Sequence, residues 1–367
     1  MNAGSLQHQI SNRCEFHLKT DILNKNYKLT FALSVALYLL IFIFAVFYGS
    51  VSVSIIDVLK IIGNKITGQV NMEGIKNSAV VIIGGVRLPR VILASLIGAG
   101  LSVSGCAAQG LLKNPLAEGS TLGISAGASL GAVLVIAMKI SIPFLDKFGV
   151  MGMSIFFGFL SFLIILSFTR RVDAGYSTNT IILTGIIFSM FANSVTSLVI
   201  AFSSDNTVKQ IVFWSMGSFA GALFDKVLFV LPFIVVGVAG LLMFSRELDA
   251  FSFGEEQAKY IGVNIKRTKL LVLILISMLV GVSVASCGLV AFVGLVVPHI
   301  ARMIVGPSHV RLLPISVFFG AGFMTLADLL SRTLVSPVEL PVGVITSFVG
   351  ALVFLTVFYS KRKRSQV

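Results

Sequence analysis

Between Arg87 and Gly131 the chain places small side chains at a strict four-residue interval in an otherwise apolar run. They are Ala94, Gly98, Ser102, Cys106 and Gly110, then, past a polar Lys113-Asn114-Pro115 break, Gly123, Gly127 and Gly131. Residues four apart lie on one face of a helix, so each series draws a smooth stripe along a helix. Lipid tails are as apolar as leucine, so membrane helices associate through the close packing that small residues permit. The pattern predicts two helices pressed tightly into a bundle, with Gly98, Ser102, Gly123, Gly127 and Gly131 as packing positions. It excludes a soluble domain held by a single anchor.

Composition agrees. Apolar residues make up 56% of the 367 and charged residues only 12%, with a mean hydropathy of +0.99. A soluble domain carries about 25% charged residues. At about 20 apolar residues per span, about ten stretches qualify. They lie near 30–48, 88–112, 119–139, 149–169, 178–202, 224–244, 268–286, 288–305, 312–330 and 341–360. The expected fold is all-α and polytopic. A tail at 1–29 is expected to be disordered, a membrane domain to fill 30–360, and a basic tail to occupy 361–367. Too many polar residues precede Phe31 for a signal peptide, and no small-residue cleavage site follows Phe47, so the first span is expected to be retained. Cys14, Cys106 and Cys287 have no metal-ligand spacing.

Orientation follows from loop lysines and arginines. Cytoplasmic termini place 18 of the 28 positive residues inside. The net charge of +13 therefore calls for no nucleic-acid partner, because loops facing inward account for much of it. Arg87, Arg90 and Arg332 run against the rule at the outer ends of their spans. Two readings fit: snorkelling to lipid headgroups, or docking of carboxylates on an extracytoplasmic partner by rigid bidentate forks.

Two segments share a pattern. Leu96-Ile97-Gly98 with Gly105 resembles Leu279-Val280-Gly281 with Gly288, and each is followed by a proline, Pro115 or Pro298. With opposite directions of travel, this points to an inverted repeat of the kind transporters use.

The longest cytoplasmic loop, 245–267, mixes acids, bases and aromatics. Glu255 to Tyr260 reads as a short helix introduced by Ser252 to Gly254 and ended by Gly262. It fits either a contact that passes motion from another protein or a solvated connector. Ion-coupled carriers place ionisable groups inside the membrane, and these spans contain almost none. His299, beside Pro298, reads as a packed residue. No G-x-x-x-x-G-K-[ST] loop is present, so an energy source must be borrowed from a partner.

These residues together resemble the permease subunit of the ABC importers that take up ferric siderophores, haem and vitamin B12. The motifs, in order, are RLPR at 87–90, NPLAEGSTLGISAGASLG at 114–131, FWSMGSF at 213–219, FGEEQAKYIGV at 253–263, GLVAFVGLVVPHIAR at 288–302, ADLLSR at 327–332 and ELPVGVITSFVGA at 339–351. Together they cover nearly the whole chain from about residue 30 to 360.

The resemblance implies a ten-span, non-enzymatic type II importer subunit in a bacterial cell membrane, paired with a second copy or a paralogue. It implies two cytoplasmic ABC ATPases that use ATP and magnesium, and an extracytoplasmic substrate-binding protein. No cofactor is expected on this chain. Arg87, Arg90 and Arg332 would accept the binding protein's glutamates. Arg246, Leu248, Gly254, Glu255, Glu256, Ala258 and Gly262 would belong to the ATPase-coupling loop, and Asn114, Leu116, Ser177 and Thr178 to the cytoplasmic gate. The cargo expected is an iron complex, ferric siderophore or haem, with cobalamin as the alternative. An ion-coupled carrier and a non-transporting receptor or scaffold are the rivals from other classes.

Overall fold

The computed structural model describes residues 27–51, 53–68, 74–139, 149–173 and 175–365. The expected tail at 1–29 lies almost wholly outside them, except that Tyr27 to Leu29 are already helical.

Among the described residues, fourteen helices run in chain order: α1 Tyr27–Phe47, α2 Ile55–Thr67, α3 Asn77–Leu111, α4 Ile124–Met138, α5 Gly149–Val172, α6 Thr178–Ala201, α7 Asp205–Ser215, α8 Phe224–Met243, α9 Ser245–Ser252, α10 Glu255–Tyr260, α11 Ile265–Cys287, α12 Val293–Val305, α13 His309–Thr333 and α14 Val342–Ser365. Seven of them (α1, α3, α5, α6, α8, α11 and α13) are long and apolar enough to cross a membrane, and α4, α12 and the Val342–Thr356 part of α14 are shorter apolar helices. Together they account for the ten expected stretches.

The spans differ from expectation most at α3. RLPR reads as a helix start, because a proline inside a helix lacks an N–H and clashes with the preceding turn. Instead the helix begins eleven residues earlier, at Asn77. Val81–Arg87 form a π-helical turn just ahead of Pro89, and that wider turn absorbs the proline. The segment 49–86 is thus helical over much of its length, with α2 packing Val58 and Ile61 against Ala45, Ile83 and Val91. The basic stretch from Lys361 continues α14 as helix to Ser365.

α3 is the centre of the bundle, packed against α13, α8, α11, α12 and α1. A Cβ on Gly98 would strike the Gly320 carbonyl of α13, and one on Gly105 the Gly294 carbonyl of α12. The second stripe serves another contact: Gly127 and Gly131 of α4 meet Ser161, Phe157 and Met153 of α5. Gly123 caps the start of α4 in the left-handed region at φ 76°. Ser102, whose Cβ lies beside Gly320, is fully buried with no partner for its hydroxyl.

The two segments of the expected repeat share an order of elements, but their matched residues sit in different surroundings. In each half a long helix (α3 or α11) is followed by a break and a short helix (α4 or α12). But Gly98 is jammed against backbone while Gly281 faces open space, and Gly105 is mid-helix while Gly288 ends α11. Pro115 lies in a turn, whereas Pro298 lies within α12. Glycine's abundance produced the residue-level match.

The breaks satisfy one another. The Ser218 amide donates to the Cys287 carbonyl at 2.8 Å, and the Val342 and Gly343 amides donate to Gly217 and Met216 at 3.0 and 3.1 Å. Irregular backbone at membrane depth is tolerated where it is buried in protein or lines a cavity.

The glycine contacts generate a paired test. Gly98→Ala should destabilise the protein by about 1–3 kcal/mol, as overpacking does. Gly281→Ala, with nothing within 4 Å of where its Cβ would sit, should be neutral or stabilising by up to about 1 kcal/mol through helix propensity. Thermal unfolding in detergent compares the two, and equal losses would contradict the packing described.

Candidate functional site

Contacts along α3 and α13 set the frame for three functional regions. Arg90 meets Asp328 near one end, Gly98 meets Gly320 midway, and Gly110 meets His309 at the other end. The two helices are therefore antiparallel, and the sequence-predicted residues separate onto opposite ends of the bundle.

At the first end lie Arg87, Arg90 and Arg332, each no more than 5% exposed. Arg87 donates to the carbonyls of Val46, Phe47 and Val51 at 3.2, 3.1 and 2.6 Å, and Arg332 donates to that of Ala45. The last carbonyls of a helix have no partner within it, so these two arginines close the end of α1. Arg90 donates through Nε to Asp328 at 2.8 Å and through Nη1 to both Glu339 oxygens at 2.9 Å. The Arg332 Nε faces the other Asp328 oxygen at 3.4 Å.

Of the two readings of these arginines, snorkelling to headgroups is thereby corrected. All three guanidiniums are buried and bonded within the chain, and they do not snorkel to headgroups. A buried charge needs paired and hydrogen-bonded company; Asp328 provides it to Arg90 and Arg332 and Glu339 to Arg90, while backbone carbonyls hold Arg87. Only Glu339, with a side chain 38% exposed, is open to water. Asp328 and Glu339 stand inside the ADLLSR and ELPVG motifs, and their acidic character was the available signal of an internal network.

Midway lies a cavity of about 720 Å³. Its lining draws on Glu118 and Ser125, on Ser215 and Met216, on Gly288 to Ala291 with Gly294, and on Gly343, Val344, Ser347 and Phe348. Stretches that are far apart in sequence, 114–131, 213–219, 288–302 and 339–351, thus converge on one space. Ser120 donates to the Glu118 carboxylate at 2.7 Å, and the Phe292 amide at the head of α12 is its backbone partner. The walls are otherwise serine hydroxyls, glycines and apolar side chains, among them Leu101, Met216, Leu289 and Phe348.

At the other end lie the expected gate and coupling residues. The Leu116 amide donates to the Asn114 side chain at 2.9 Å, which closes the Asn114 turn and leaves Leu116 exposed. The same segment, at Thr121 and Leu122, packs on Gly185 of α6. Ser177 caps α6 by accepting from the Thr180 amide, and Thr178 is its first residue. Asp173 accepts from the Gly175 and Ser177 amides at 2.7 and 2.9 Å. Those bonds, with the Ser177 hydroxyl foremost, hold its carboxyl down at about 2, so the turn keeps its anchor well below neutral pH.

The coupling residues divide by exposure. Leu248 and Ala258 are fully buried and fix α9 and α10 to the bundle, while Arg246, Glu256 and Gly262 face solvent. Gly254 and Gly262 bracket α10 with φ of 121° and 89°, a left-handed geometry that favours glycine. Three residues absent from the expectation stand out beside them: Phe253, Tyr260 and Ile261 are 76, 91 and 69% exposed. Both short helices are bolted to spans. Asp249 on α9 accepts from Ser308 and from the amide and Nδ1 of His309, at the start of α13. Burial alone would push the Asp249 carboxyl up, but these donors outweigh it and hold it below the usual range. Glu255 on α10 grips Lys269 of α11 at 2.9 Å.

A family model described as the FecCD transport family matches residues 37–360. The chain is 44% identical to the ABC transporter permease protein YvrB of Bacillus subtilis, over 76% of this chain and 78% of that one. It is 37% identical to the cobalamin import system permease protein BtuC of Halobacterium salinarum, over 80% and 77%. It is 38% identical to the hemin transport system permease protein HmuU of Yersinia pestis, over 76% and 83%. Among solved structures, an inward-facing metal-chelate type ABC transporter superposes with a TM-score of 0.79 at 31% identity, covering 90% of this chain and 99% of that one.

The arginine network predicts unequal sensitivities. Asp328→Asn strips the charge facing two buried arginines, and breaking a buried pair this way costs about 3–5 kcal/mol. Glu339→Gln, at a partly exposed carboxylate, should cost less than about 1 kcal/mol. Thermal unfolding of the two variants checks the order, and a larger loss for Glu339→Gln would contradict it.

Proposed function

Because the chain belongs to the FecCD transport family, we propose that it forms the membrane pathway for an iron complex, a ferric siderophore or haem, handed over by an extracytoplasmic binding protein. It is the multi-pass permease subunit of a type II ABC importer and not an enzyme, since ATP hydrolysis in such importers belongs to a separate subunit. The observation that carries the cargo route is the central cavity, where four separate sequence motifs supply a mainly apolar lining broken by a few serine hydroxyls and the Glu118 carboxylate. Such a lining holds cargo loosely, and tight binding in mid-membrane would hinder release.

On this reading the domain spanning 30–360 works beside a second copy or a paralogue, with both termini in the cytoplasm, and holds no cofactor of its own. The binding protein docks at the end bearing Arg87, Arg90 and Arg332. Its acidic groups take the place of the exposed Glu339 on Arg90, because the arginines' other bonds are to buried groups of the chain. The ATPase seats on α9 and α10, where Phe253, Tyr260 and Ile261 offer exposed apolar contact. The turns at Asn114–Leu116 and Ser177–Thr178 form the cytoplasmic gate. ATP and the docked binding protein bias the equilibrium between inward- and outward-open forms by binding them unequally.

Two observations weigh on the alternatives. Cobalamin follows iron complexes as cargo, because a cobalamin permease stands among the relatives at an identity close to that of the hemin permease. An ion-coupled carrier needs a free intramembrane charge, and the deeply buried Asp328 is committed to Arg90 and Arg332.

The test is uptake of labelled ferric siderophore, haem and cobalamin by iron-starved cells lacking this gene. Selective loss of one iron complex is the expected result. Loss of cobalamin uptake alone would replace the cargo, and unchanged uptake of all three would contradict the proposal.

A further inference from the structure

Lys269 lies near the start of α11, where a long cationic side chain ordinarily snorkels toward water. Instead it is 1% exposed. Its ammonium donates to the Tyr176 carbonyl at 2.8 Å and to both Glu255 carboxylate oxygens at 2.9 Å. An ammonium has three donors, and these three acceptors use them all. Tyr176 immediately precedes Ser177, the cap of α6, and Glu255 opens α10. One buried side chain therefore joins the exposed helix that seats the ATPase to the turn that carries Ser177 and Thr178.

We propose that Lys269 is the positioning residue that couples movement of α10 to the gate turn, an inference that rests on the roles given above to α10 and to Ser177–Thr178. The geometry suits transmission. Tyr176 sits in the left-handed region at φ 55°, which a non-glycine residue adopts only when its surroundings hold it there. Asp173 pins the amides on either side of it, at Gly175 and Ser177. The turn therefore moves as a unit, and its handle is the carbonyl that Lys269 holds. Glu255 is about one-third exposed, so the Lys269–Glu255 pair is within reach of whatever moves α10. Displacing Glu255 leaves two ammonium protons without acceptors in a buried site, which forces Lys269 to shift and to draw Tyr176 with it. For stability alone, a buried ion pair is a poor choice beside apolar packing of the same volume. A transmitting role gives the charge a reason to be there.

The experiment uses the full complex with its ATPase, reconstituted in vesicles, carrying Thr178→Cys and Cys14→Ser. The remaining native thiols, Cys106 and Cys287, are buried. The readout is the maleimide labelling rate of the introduced thiol with and without ATP plus vanadate, recorded beside ATP hydrolysis. In the parent the nucleotide should change the labelling rate. Lys269→Met should keep ATPase assembly and hydrolysis but shrink that change by about tenfold, within the span of inter-site coupling free energies. Lys269→Arg, which preserves charge and donors, should restore most of it. Should Lys269→Met fail to assemble, Glu255→Gln removes only the partner's charge and should give a smaller loss in the same direction. A full nucleotide response in Lys269→Met, or in Glu255→Gln if it must stand in, would overturn the role of Lys269 alone. No response in the parent would overturn the gate reading and the link with it.

Discussion

The backbone of α3 touches the backbone of α13 at Gly98 and Gly320, and the remainder of the bundle is arranged around that contact. In lipid no hydrophobic gain distinguishes one helix pairing from another, so close approach and hydrogen bonds decide. Gly98 admits α13, Gly105 admits α12, and Gly110 leaves room for the His309 ring. Because each glycine sits on a different turn of one helix, α3 fixes where the polar residues at both ends fall. Arg90 reaches Asp328 at one end, and Gln109 accepts from Arg302 at the other. The central cavity is what remains where helices break and backbone bonds between the loops replace helical ones.

Much of this architecture is legible in the sequence because its signals are long and periodic. Ten apolar runs locate the spans to within a few residues, apart from the start of α3. Gly254 and Gly262 bound α10 where a left-handed backbone requires it. What stayed hidden depends on neighbours rather than on local pattern. A proline inside α3 is tolerable only because a π-helical turn precedes it. Arg87 and Arg332 are buried only because the end of α1, forty and more residues away from either, presents bare carbonyls to them. Lys269 counts in the sequence as one more inward loop charge, and nothing local marks it as buried. The repeat fails at its glycines for the same reason: equal spacing along two helices does not give them equal partners.

The two ends of the molecule hold their charges differently. At the Arg90–Asp328 end, charge is locked inside the fold and only Glu339 meets solvent. At the other end the polar contacts tie short, partly exposed helices to long spans: α9 to α13 through Asp249 and His309, and α10 to α11 through Glu255 and Lys269. On the proposed roles, the first arrangement holds the delivery end fixed and the second links the ATPase-facing helices to the spans. An importer that takes its energy from a separate ATPase needs a rigid mouth for its delivery partner and a compliant face for its motor.

The central claim is that this chain's pathway is driven by ATP hydrolysed on a partner and not by an ion gradient. The most direct measurement is cargo uptake into cells whose proton-motive force is collapsed by a protonophore while cellular ATP is kept up, with and without vanadate. The account predicts uptake that survives the protonophore and is abolished by vanadate. Uptake that ends with the gradient and is indifferent to vanadate would contradict it.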